Sequence, residues 1–180
     1  MTTPSRTLCQ HLREQTEFVR WADHRVMVAA RSIKASAYFK NRLPVAEGLQ
    51  PLSLHRSLVH AMAVEWLWLC RCRGESPERL EESTELGTHM AIETRWPLVH
   101  SAWVDFVGRQ TPHLLDVPMT YKRLSGSTGT LTIMQMIVLV IDQSAFHRGQ
   151  NAMLIRLCGG EVPSVSYRQF AGESVAGTRP

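Results

Sequence analysis

Gln143, His147 and Gln150 follow one another at spacings of four and three in the stretch DQSAFHRGQNAMLIRLCGG, residues 142–160. Side chains at those spacings share one face of a helix. The stretch continues an apolar run, LTIMQMIVLVI, so that face heads toward a core. Polar groups on a buried stripe cost free energy unless something satisfies them. A hydrogen bond, a metal ion or a substrate pocket would each do so. Upstream, His60 lies between Val59 and Ala61 in a second apolar segment. If the two segments pack together, two imidazoles and an amide oxygen converge on a shared interior point. Imidazole is a good ligand for zinc, nickel, copper or iron. The amide oxygen of Gln143 is a poorer one, so His60, Gln143 and His147 make a weaker and less selective centre than three histidines would. The competing reading is a core His147 hydrogen-bonded to Gln143, without metal.

Four helical segments have to position these groups. In the first, Leu8, Leu12, Gln15, Val19, Ala22, Val26, Ala29 and Ile33 alternate at four and three, a seam that faces other helices. Thr7 or Ser5 is placed to cap it. The second runs from about Ser53, a capping residue, to Arg73, with Gly74 as its stop. Leu58, Ala61, Met62, Glu65, Trp68, Leu69 and Cys72 mark one broad face of it, and His60, Val64 and Leu67 an adjoining one. The third spans about Ile92 to Gln110, with a start near Thr94–Trp96 because Pro97 fits a first turn. The fourth spans about Thr130, its expected cap, to Leu157, and is stopped by Gly159–Gly160. Its stripe reads Met136, Val140, Gln143, His147, Gln150, Leu154.

The connections differ in character. A long loop with Pro44 and Pro51 follows the first helix, and an acidic loop with Glu75, Glu78, Glu81, Glu82 and Glu85 follows the second. Alternation through Met119, Tyr121 and Arg123, then Ser-Gly-Ser and Thr-Gly, predicts a short β-hairpin or extended segment before the last helix. The tail after Gly160 has little periodicity and is expected to pack partly across the helices, loosely ordered beyond about residue 171.

Length and composition suit one globular domain over residues 1–180. The hydrophobic content is 44%, the net charge +4 and the sequence pI about 9.1. The basic residues are scattered and nearly all arginine, with no cluster interleaved with aromatics, which argues against nucleic-acid binding. Cys9, Cys70, Cys72 and Cys158 match neither a metal knuckle nor a disulfide framework and read as buried or half-buried thiols of a reducing compartment. No apolar signal core or membrane-length run is present, so the expected location is cytoplasmic, away from membranes.

The motifs resemble a known family. SAFHRGQNAMLIRLCGG looks like the fourth-helix motif of the DinB/YfiT-like superfamily, whose members often read HxxxHRGQ there. HRSLVHAMAVEWLWLCRCRG looks like its second helix, a histidine before a Trp-rich stretch, and EFVRWADHRVM resembles its first, with Trp21 in place. The resemblance covers about Leu8 to Phe170. It implies an all-α four-helix bundle, commonly a homodimer, with a hairpin between helices 3 and 4. It also implies a divalent transition metal, zinc or nickel foremost, at His60, Gln143 and His147. The chain departs from the pattern at Gln143, where the family usually has histidine, and that departure lowers the expected affinity.

Two functions are consistent with these features. One is a metal-dependent transferase or hydrolase acting on a small molecule or a low-molecular-weight thiol, with Gln150 orienting a ligand. Glu65 is a weak candidate acid/base, about 140° round its helix from His60. Asp23 and His24 are free bases whose place only a structure can give. The other is a non-catalytic dimeric stress-response protein with a degenerate metal site. Arg148, next to His147, is positioned to reach a carboxylate or the end of the bundle, with an ordinary structural ion pair as the competing reading, and Gly149 to admit a neighbouring helix.

Overall fold

The computed structural model describes residues 7–42, 52–80 and 85–177. Ser5, Pro44, Pro51, Glu81, Glu82 and the last three residues of the tail lie outside them. The described chain is mostly helical, with one two-stranded antiparallel sheet. Its elements are α1 (Leu8–Ala29), a 3-10 turn (Ala30–Ser32), α2 (Ala35–Tyr38), α3 (Leu54–Cys72), α4 (His89–Gly108), α5 (Pro112–Leu115), β1 (Pro118–Lys122), β2 (Thr128–Thr132), α6 (Ile133–Leu157) and α7 (Tyr167–Val175).

Each long helix starts where a hydroxyl side chain can satisfy the free N–H groups of the first turn. Thr7 accepts from Gln10 N–H, and the Gln10 side chain accepts from Thr7 N–H in return. Ser53 caps α3 by accepting from Arg56 N–H. Gly74 and Gly159 take positive φ, 84° and 82°, just past α3 and α6, where glycine enters the left-handed region without steric cost.

Two helix starts differ from expectation. Thr88, not a residue near Thr94, caps α4, and Pro97 lies inside the helix. Ile92, Trp96, Val99 and Trp103 are all buried on one stripe, so burial carries the helix through a residue that would otherwise break it. The cap of α6 is Thr132, with Gln135 completing a reciprocal cap, rather than Thr130. Thr130 is held in the hairpin, paired with Thr120. The tail also contains more order than its pattern suggests: α7 packs on α1, with Phe170 buried and Trp21 Nε1 donating to Glu173 Oε2 at 2.9 Å.

The four long helices enclose the core. Helix α1 packs on α4 and α6, and α3 packs on α6 and α4. Met62, Ile92, Met136 and Leu154 are fully buried between them. The hairpin lies on α3: Tyr121 meets Trp68 edge to face, and the Arg71 guanidinium stacks over both rings. Gly129 stands opposite Tyr121, where a Cβ would come within 2.8 Å of the tyrosine ring. Cys9, Cys70 and Cys72 are free and buried, and Cys158 is free and half-buried. Among the described residues no helix is long and apolar enough to cross a membrane.

Candidate functional site

Two polar groups lie along α3 and α6. The outer one holds two of the three expected ligands together. The rings of His60 on α3 and His147 on α6 pack edge to face with centroids 5.1 Å apart. His147 is buried, whereas His60 and Gln143 are exposed, so the expected interior point is instead a rim where α3 meets α6. Burial, followed by the nearby His147, lowers the His60 pKa, which favours the neutral ring that metal binding needs. His147 Nδ1 lies 3.3 Å from Gln150 Oε1. With Nδ1–H donating to that carbonyl oxygen, Nε2 keeps its lone pair for a metal. The two imidazoles are donors that suit a divalent ion, while Gln143 lies exposed one turn before His147.

The buried stripe of α6 does not run through Gln143 and Gln150. It passes through Val140, Ser144, His147, Asn151 and Leu154. From Val140 the helical repeat permits either Gln143 or Ser144 as the next inward residue, and Ser144 is selected because its hydroxyl donates to Glu65 Oε1 at 2.9 Å. Gly149 is exposed, and an added Cβ would meet nothing within 4 Å. Among the described residues, therefore, no neighbouring helix approaches it.

The inner group is built from residues of all four long helices. Glu65 of α3 accepts from Ser144 Oγ and, at Oε2, from Trp96 Nε1 of α4 at 2.9 Å. Its backbone carbonyl accepts from Trp103 Nε1. Arg148 of α6 donates to Asp23 Oδ1 of α1 at 2.8 Å, the carboxylate partner its position suggested. His100 of α4 stacks on Trp96 and brings Nε2 to 3.2 Å from Glu65 Oε2 and 3.9 Å from Asp23 Oδ2. All of these side chains are buried.

The two carboxyl groups shift in opposite directions. Burial pushes the Asp23 carboxyl up to about 7 against the pull of Arg148, with Glu65 adding to the rise. Burial would raise Glu65 too, but His100, Trp96 and Ser144 overcome it and hold Glu65 below its ordinary value. Asp23, Glu65 and His100 offer ligand atoms that all lie within 4.8 Å of one another, so this group has the donors to bind a metal ion.

Sequence reasoning left this inner group unassembled. Glu65 gave a signal, as a carboxylate on an otherwise apolar stripe, because such a charge must be paired. Asp23 was visible but unplaced. His100 and Ser144 gave none, since nothing in their spacing relates them to the other helices.

The model of the DinB family matches residues 8–175 of the chain. No curated protein matches it.

Proposed function

The chain belongs to the DinB family, and on that premise we propose that its long helices form a four-helix bundle binding a divalent metal at His60, Gln143 and His147. The observation that carries this reading is the contact of the His60 and His147 rings across two helices. A divalent ion there supplies Lewis acidity toward an oxygen or sulfur atom of a small molecule. The remaining work falls to the chain. Gln150 fixes the tautomer of His147. Ser144–Glu65 and Arg148–Asp23 anchor α6 to α3 and α1 on either side of His147, holding its ring toward His60. The exposed rim gives a small electrophile or a low-molecular-weight thiol access, which suits a transferase or hydrolase.

A second reading rests on Gln143 and on the outer face of α6. An amide in place of an imidazole suits a degenerate centre in a non-catalytic dimer. Val138, Phe146, Met153 and Leu157 are all exposed along α6, and an apolar face of that kind fits a second copy of the chain.

Metal stoichiometry tests the ligand set. H60A/H147A is expected to bind about one equivalent less zinc or nickel than the wild type, as metalloprotein ligand removal does. Q143H is expected to bind more tightly. Identical stoichiometry and affinity in all three proteins would remove the site. Turnover of a thiol with an electrophile, measured against H147A, separates the enzyme from the non-catalytic dimer.

A further inference from the structure

The inner group contains two buried polar atoms that are in ionic contact but complete no well-aligned hydrogen bond. Asp23 Oδ2 and His100 Nε2 are both buried and lack a hydrogen-bond partner. The 3.2 Å approach of His100 Nε2 to Glu65 Oε2 is a close contact without hydrogen-bond geometry. Native interiors rarely leave such atoms unsatisfied. These atoms face one another across the point where the four long helices meet.

We propose that Asp23, Glu65 and His100 bind a divalent metal ion inside the protein, as a second centre distinct from the His60–His147 rim. Four-coordinate ions with bonds of about 2.1 Å set their ligands roughly 3.4 Å apart; the two separations from His100 are 3.2 and 3.9 Å, and all three ligand atoms lie within 4.8 Å of one another. The supporting shell is already in place. Arg148 and Ser144 occupy the other oxygen of each carboxylate, and Trp96 donates to Glu65 Oε2 as well, which fixes the orientation of the ligand atoms. A void of about 10 Å³, otherwise largely apolar, touches Glu65 and His100 but not Asp23. A cavity of about 1030 Å³ lined by residues of α1, α4 and α7 has His100 in its wall.

Charge supports the same assignment. Asp23 and Glu65 are two carboxyl groups facing one guanidinium, that of Arg148, so a cation at the centre would balance them when both are ionised. Two carboxylate oxygens with one imidazole nitrogen suit manganese, iron(II) or zinc rather than a thiolate-seeking ion. A proton shared within the group would also relieve the charge, and it is the outcome opposed to the proposal.

The experiment deletes the outer rings and leaves the interior intact. H60A/H147A is stripped with chelator, dialysed against zinc, manganese or cobalt(II), and its bound metal counted. The expected result is about one equivalent retained, with cobalt giving the visible absorption of a low-coordinate site and quenching tryptophan fluorescence through Trp96. Adding E65Q or H100N should lower affinity at least tenfold. If H60A/H147A binds none of the three ions, the inner centre is wrong and a proton occupies it. That result is decisive even when the buried variants fail to fold. It is also separate from the outer site, whose failure reads as no difference between H60A/H147A and the wild type.

Discussion

The rim and the interior of this molecule use the same residue chemistry under opposite conditions. At the rim, His60 and His147 meet beside water, with Gln143 exposed one turn away. In the interior, Asp23, Glu65, His100 and Arg148 meet where water is excluded. A polar group at the rim can lose its partner to solvent at little cost. In the interior each group depends on the others, because a stranded buried charge is expensive. The rim is therefore weakly coupled to the fold, whereas the interior ties the long helices to one another. The contrast is one of coupling, loose at the rim and tight in the interior.

Glu65→Ala should have the largest effect, because it strands Ser144, Trp96 and His100 together. A loss of about 3–5 kcal/mol in denaturant unfolding is expected, and a loss below about 1 kcal/mol would mean the interior is no more coupled than the rim. Arg148→Ala should fall at the lower end of that range, since it abandons Asp23 alone. The double variant D23A/R148A should cost clearly less than the sum of the two single changes, and simple additivity would show that the pair is not coupled.

Neighbouring residues on α6 offer a finer test. Ser144→Ala removes a buried hydrogen bond to a carboxylate and should cost about 1.5–3 kcal/mol, while Gln143→Ala should stay within about 0.5 kcal/mol. Equal costs would place both residues on the same face. Gln143→His should leave stability within that same margin while raising metal affinity about tenfold or more, measured by competition with a chromophoric chelator. The smallest effect is expected from thiol labelling of α3. Burial pushes the Cys70 thiol up to about 11 and the Cys72 thiol up to about 12, so at pH 8 both remain protonated and unreactive in the native protein. Labelling of either at the rate seen after unfolding would show that the inner face of α3 opens.

Much of the fold was legible in the residues because the relevant signals are local. Thr7 with Gln10 and Ser53 with Gly74 mark helix ends by groups within a few residues of one another. The alternation around Tyr121 likewise marks a strand. The errors came where a distant partner decides. Pro97 is tolerated mid-helix because Trp96 and Val99 are buried by other elements. Thr130 yields its capping role because Thr120 pairs with it across the hairpin. Helix α7 forms where Phe170 finds Phe18 and Trp21 on α1.

By itself the sequence determined the start of α1, the extent of α3, the hairpin and the family pattern that singles out His60, Gln143 and His147. Only the tertiary structure decided that the inward residue after Val140 is Ser144, that Arg148 meets Asp23 from 125 positions away, and that Glu65 and His100 join them. Helical periodicity records where a side chain points relative to its own axis. It carries nothing about how one helix is rotated against another, and that rotation is set by the packing of all four together.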